Sequence, residues 1–325
     1  MAGEPADVGT KTAPSAEWVT HRERGSVLLL RVMTFISLKI GRRAGRFILY
    51  FIAAYFFAFA PSARRNSWIY LRRALGREPT YGDWFRQVLS FASTIHDRVY
   101  LVNGQYDMFD VTIEGEPIMQ RLMDAGQGAF LMGAHLGSFE VTRALGQRRQ
   151  GLRVAMAMYE DNANKIQGRL AAINPAAKLD VITLGRMDAM LRIHEYLDKG
   201  AFVGVLGDRT FGQEAGQTVD FLGAPAHFPT GALRAAAILR RPVVFMIGLY
   251  RGGRRYHIVF AELADFSNIP HGGRSVALEE AVRRYAALLE KYCHSDPYNW
   301  FNFYDFWHRP DAGTSADADV AGSAH

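Results

Sequence analysis

Cysteine is almost missing from this chain of 325 residues; Cys293 stands alone. One thiol excludes an internal disulfide framework and any zinc site built on cysteines, and it fits a reducing compartment. Several short signatures are absent as well. No G-x-G-x-x-G follows a strand-like run and no G-x-x-x-x-G-K-[ST] occurs, so dinucleotide and P-loop chemistry lose their main support. "HEYLD" at His194 begins like a zinc-protease helix but lacks the second histidine. No G-x-S-x-G elbow is present, which removes the ordinary serine-esterase reading. The α/β part carries no clustered Lys/Arg stripe with interleaved aromatics, so no nucleic-acid partner is expected.

What the chain does have is core-forming material: 49% of its residues are hydrophobic and 12% aromatic. That is the composition of a globular protein. The net charge is +6. A basic balance suits an anionic membrane face, an acidic carrier protein or a phosphorylated substrate.

The composition divides the chain. Residues 1–24 and 311–325 are polar or small-residue stretches, expected as a disordered arm and tail. Residues 25–110 are expected to be helical and membrane-associating, and residues 111–310 to form one α/β domain. Within the first part, Phe47 to Ala60 is uninterrupted apolar sequence, flanked by Arg42, Arg43 and Arg46 and by Arg64 and Arg65. As a helix it is ~21 Å long, short for a hydrocarbon core of ~30 Å. Arginines on both sides suit a helix dipping into one leaflet. A buried core helix is the alternative. The long charged lead-in and Pro61 directly after the run argue against a cleaved signal peptide.

From about Val111 apolar runs alternate with helical patterns. "GAFLMG", "LRVAMAM", "LDVITL", "AFVGVLG", "TVDFLG", "PVVFMIGLY" and "RYHIVFAEL" read as strands. Helices are expected at 138–148, 162–173, 187–199, 230–240 and 275–293. This alternation predicts an α/β fold whose sheet is covered by helices on both faces. The last two strands read as an antiparallel hairpin turning at Gly252–Gly253, so the sheet is mixed and mostly parallel. "NWFNFYDFW", Asn299 to Trp307, reads as a closing strand or as an aromatic lip at a membrane interface.

His135 falls where "GAFLMG" stops. Functional groups in α/β sheets gather beyond the carboxyl ends of strands. Ser138 can cap the following helix, and Glu140 would lie in its first turn, where the dipole favours an anion. With His135 in the loop, the chain can bend back so that Glu140 meets one imidazole nitrogen and the other acts as general base. Gly133 and Gly137 leave room for backbone or substrate.

His135-Leu-Gly-Ser-Phe-Glu140 is an H-x4-[DE] motif after a strand. With "LDKGAFVGVLGDRTFG" and "VDFLGAPAHFPTGALRAAAILRRPVV" it resembles the lipid A biosynthesis (lauroyl/myristoyl) acyltransferase family of the lysophospholipid/glycerolipid acyltransferase superfamily. The likeness spans roughly residues 25–310. There are departures. The family's Asp-Gln pair is Asp208-Arg209 here, and its Phe-Phe-Gly is Phe221-Leu222-Gly223. A helix arginine of the family has only Arg169 nearby, and the aromatic end replaces a Trp/Arg-rich close.

The resemblance implies a glycerolipid-acyltransferase-like fold on the cytoplasmic face of a bacterial inner membrane. It implies transfer of a fatty acyl group from an acyl thioester, on acyl carrier protein or coenzyme A, to a hydroxyl or amine of a lipid or glycolipid acceptor. No cofactor or metal is implied. His135 would be the base and Glu140 its partner. Asp208, Arg209, Gly137, Ser138 and Arg169 would bind substrate, with Arg209 facing an oxyanion or an acceptor phosphate or simply paired to Asp208. Backbone N–H groups near Gly133 and Gly137 are the other oxyanion donors. Phe130, Met132, Phe139, Met156 and Met158 would line an acyl groove or belong to the core. The same His/Glu pair could instead activate water, as in a thioesterase or lipid hydrolase. A non-enzymatic basic membrane-binding module is the third reading.

Overall fold

A computed structural model of the chain describes residues 27–148, 152–177, 179–209 and 215–307. The expected N-terminal arm and C-terminal tail lie outside the described residues. Four helices come first: α1 (Val27–Lys39), α2 (Arg42–Phe59), α3 (Pro61–Leu75) and α4 (Tyr81–Val102). Then follow β1 (Asp110–Glu114), α5 (Glu116–Asp124), β2 (Phe130–Gly133), α6 (Phe139–Arg148), β3 (Val154–Tyr159), α7 (Glu160–Ile173), β4 (Val181–Leu184), α8 (Ala189–Asp198) and β5 (Phe202–Leu206). The chain continues through β6 (Gly216–Phe221), β7 (Ala224–Pro229), α9 (Gly231–Leu239), β8 (Pro242–Tyr250), β9 (Arg255–Asp265) and α10 (Arg274–Ser295).

Local chemistry accounts for several of these boundaries. Pro61 opens α3 where its missing N–H costs nothing, and Gly76 ends that helix in the left-handed region. Thr80 and Asp83 form a capping box at the start of α4. Gly252 and Gly253 both have positive φ and turn the β8–β9 hairpin where the sequence places it.

The main sheet has seven strands in the order β1-β9-β8-β2-β5-β3-β4. Within it, among the described residues, only the β8–β9 pairing is antiparallel. Period-two alternation sends successive side chains to opposite faces. Phe130 and Met132 join a core with Val243, Phe245 and Ile247, while Leu131 joins another with Val244 and Met246. Residues of α8, α9 and α10 complete the first core, and residues of α5, α6 and α7 the second. The sheet is therefore covered on both faces, and all nine residues of β8 are buried. Phe130, Met132 and Met156 are core residues in this arrangement.

Three local expectations change. "TVDFLG" forms β6, but it pairs only with β7 in a separate two-stranded sheet. Leu222 and Gly223 both have positive φ, so a tight turn folds the strand back before it can reach the main sheet. "NWFNFYDFW" is not a ladder strand. It makes one isolated bridge, Leu136 to Trp300, and otherwise crosses the sheet end as irregular chain. β1 and α5 were not expected; β1 is a five-residue edge strand of alternating half-exposed and exposed residues, too short for a clear apolar signal.

The apolar run on α2 is not a core helix. Gly45, Leu49 and Ala53, spaced at i, i+4 and i+8, pack inward. The opposite face leaves Phe47, Tyr50, Phe51, Tyr55 and Phe59 at least half exposed, with Phe47 at 65%. Phe35 of α1 and Ile40 in the turn after it are exposed as well. Among the described residues no single helix is long and apolar enough to cross a membrane; α2 and α3 satisfy length and composition only together, with a bend of 94° between them.

Candidate active site

β2 and β5 are neighbouring parallel strands, with Gly133 opposite Leu206. The Gly133 carbonyl accepts hydrogen bonds from the Gly207 N–H at 3.0 Å and from the Tyr285 hydroxyl at 2.7 Å. These contacts hold the two strand ends level. His135 and Asp208 each stand two residues beyond those ends, so they meet side by side.

The loop carrying His135 is clamped from both sides. The Phe301 N–H donates to the His135 carbonyl and the Gly137 N–H donates to the Asn299 carbonyl, both at 2.8 Å. The Ser138 N–H donates to the Gly248 carbonyl at 2.6 Å. Gly137 has φ +79, and a Cβ there would lie 2.1 Å from the Gly248 oxygen. Glycine is required at that position by both conformation and space. Asn299 anchors the crossing segment: its side chain bonds the N–H and carbonyl of Tyr250 at the end of β8. These bonds use the Gly137 N–H, so it is not available as the expected oxyanion donor.

The imidazole meets a carboxylate, and that carboxylate belongs to Asp208. His135 Nδ1 lies 2.9 Å from Asp208 Oδ1. Asp208 Oδ2 accepts the His135 backbone N–H at 2.9 Å and Asn302 Nδ2 at 2.8 Å. Asp208 is fully buried, whereas the imidazole keeps 28% of its surface. With Nδ1–H donated to the carboxylate, Nε2 carries the lone pair.

The expected contact between Glu140 and His135 does not form. Glu140 lies in the first turn of α6 and is buried. It accepts from Arg143 Nε at 2.8 Å and faces Arg98 Nε of α4 at 3.6 Å. Two guanidinium cations outcompete a neutral imidazole for one carboxylate, because each brings a full opposite charge and the imidazole N–H brings only a dipole.

Asp208 and Arg209 attract each other and share a hydrogen-bond partner. Asn302 sits between them: its Oδ1 accepts from Arg209 Nε at 2.8 Å while its amide donates to Asp208. Arg209 also reaches the Phe301 carbonyl at 3.4 Å and lies over the Tyr304 ring. Ser138 is buried at the end of the loop. Arg169 sits on α7, its basicity lowered by burial.

Electrostatics follow from these contacts. Burial holds the His135 pKa below its usual 6.5, and the Arg209 charge depresses it further; Asp208 works in the opposite direction. The imidazole is therefore neutral near pH 7, as a general base must be. Burial alone would raise the Asp208 pKa, but the His135 and Arg209 charges and its hydrogen bonds win, and its carboxyl is held below the usual carboxylate range. Burial lowers the Arg209 pKa, but the guanidinium remains a cation.

Asn299 and Asn302 were missed as site residues. The available signal was two amides inside a strongly aromatic run, since buried polar groups require partners. Among the described residues no group of three or more His, Cys, Asp or Glu side chains could hold a metal ion. No curated protein matches this chain. The sequence model of the family described as bacterial lipid A biosynthesis acyltransferase matches residues 19–309, nearly the whole chain. The protein is a member of the bacterial lipid A biosynthesis acyltransferase family, and hence an acyltransferase.

Proposed function

We propose that this acyltransferase moves a fatty acyl group from a thioester, on acyl carrier protein or coenzyme A, to a hydroxyl or amine of a lipid or glycolipid acceptor at a membrane surface. The observation that carries the reading is the 2.9 Å contact between a partly exposed His135 and a buried Asp208 at the end of the sheet. His135 Nε2 takes the acceptor proton as the acceptor oxygen or nitrogen attacks the acyl carbon. The carbon–sulfur bond then breaks and the proton returns to the departing thiolate. Asp208 fixes the tautomer and balances the imidazolium. Arg209 supplies positive charge for the oxyanion or for an acceptor phosphate. A thioester is already activated, so no covalent enzyme intermediate is needed.

The test supplies a long-chain acyl thioester to the full chain with and without bacterial membrane lipid. Acyl transfer to a lipid product, with little release of free acid, is expected. Equal release of free acid in both arms would instead support the hydrolase reading.

The exposed aromatic face of α2 supports membrane association. Burying one phenylalanine contributes about 1.5–3 kcal/mol, at least about tenfold in partitioning per residue. Changing Phe47, Phe51 and Phe59 together to serine should lower binding to anionic lipid vesicles by about 10³-fold. Sedimentation with vesicles measures this, and unchanged binding would remove that face from the interaction.

A further inference from the structure

We propose that Asn302 is a positioning residue for acyl transfer: its amide separates Asp208 from Arg209, so that the carboxylate serves the imidazole and the guanidinium serves the reacting group. This rests on the reading of His135 as the base. The two charges are consecutive in the chain and both lie at the site. In a low-dielectric interior, adjacent opposite charges collapse into a pair wherever geometry permits. Such a pair would draw the Asp208 charge away from His135 and hold Arg209 away from any substrate.

Asn302 blocks this with both ends of one amide. Nδ2 donates to Asp208 Oδ2 and Oδ1 accepts from Arg209 Nε, each at 2.8 Å. That orientation is the one in which both contacts are donor to acceptor. The side chain is 2% exposed, so water does not substitute for it. Its backbone is fixed by the neighbouring Phe301 N–H, which donates to the His135 carbonyl. The amide is thus carried on the same segment that clamps the catalytic loop. Neither Asp, which repels Asp208, nor an apolar residue, which satisfies neither partner, reproduces this arrangement.

The pH dependence of the reaction reports on this role. The titratable groups coupled to the pair are Arg209, Tyr285, Tyr304 and Cys293. Burial pushes the two phenols and the thiol up, so they stay neutral across the working range. Without the amide, Arg209 closes on Asp208 and offsets the carboxylate charge that supports the imidazolium, so the His135 pKa falls. A carboxylate at position 302 engages Arg209 and adds a negative charge beside the pair, so it raises that pKa.

The experiment measures kcat/KM for acyl transfer against pH in the full chain carrying Asn302→Leu, Asn302→Ser or Asn302→Asp. The acidic limb should move down by about one pH unit for Asn302→Leu and Asn302→Ser and up for Asn302→Asp, with the plateau lowered by about 10²-fold in each. Asn299→Leu is the comparison, since the Asn299 side chain bonds the Tyr250 backbone rather than Asp208 or Arg209; it should lower thermal stability without moving the limb. If the three variants show the wild-type limb, or none of them folds, the residue is structural and the proposal fails. His135→Ala keeps the two readings apart. Full transfer in that variant removes the base itself, whereas loss of transfer with unmoved Asn302 limbs overturns only the positioning role.

Discussion

Replacing His135 with alanine should lower acyl transfer by about 10²–10⁴-fold, the usual contribution of a positioned base. The protein should stay folded. The loop is held by backbone bonds from Phe301, Gly137 and Ser138, none of which uses the imidazole. Asp208 would lose one of its partners but keep the His135 N–H and the Asn302 amide. One lost buried partner costs about 1–3 kcal/mol, which a thermal melt would register as a modest decrease. Thioester-dependent acylation of lipid, followed by mass spectrometry, is the direct readout. Transfer at the wild-type rate would sink the mechanism.

Asp208→Asn should have an effect of similar size, about 10²–10⁴-fold on kcat/KM, because the imidazole loses the acceptor that sets its tautomer and balances its charge. The direction of the pH shift distinguishes this from unfolding. Asp208 raises the His135 pKa, so removing its charge lowers that pKa further. Activity requires neutral His135 and increases as pH rises through its pKa. The acidic limb, already below pH 6.5, should therefore move to lower pH while the plateau falls. Glu140→Gln should behave differently. It leaves Arg143, largely buried, and the partly exposed Arg98 without their carboxylate, a loss of about 3–5 kcal/mol of stability. Glu140 does not act on the His135 charge, so the limb should stay in place. If Glu140→Gln moved the limb and Asp208→Asn did not, Glu140 would be the partner of the imidazole in solution.

The fold was legible wherever periodicity was strong. The long buried strands and the five expected α/β helices appear where the apolar patterns place them, because burial on one or both faces dictates those patterns. β1 escaped notice because an edge strand needs little apolar sequence. The destination of "TVDFLG" depended on a turn at Leu222–Gly223 rather than on its own composition. The environment of the apolar run at Phe47–Ala60 also depended on neighbours. Burial of Gly45, Leu49 and Ala53 against α4 leaves the aromatic side outward. Family membership then decides for an enzyme over a non-enzymatic module.

The sequence by itself determined that a histidine stands where an apolar strand ends, that Gly137 follows it, and that Glu140 and Asp208 are the acids nearby in motif. Which acid meets the imidazole was decided by tertiary structure alone. His135 and Asp208 are 73 residues apart, and they meet because parallel register sets Gly133 beside Leu206. Glu140, only five positions from His135, is turned to Arg98 and Arg143 by the packing of α6 on α4. Local spacing records which residues are available. Strand register and helix packing set which side chains come within 3 Å, and hydrogen bonds act only at that range.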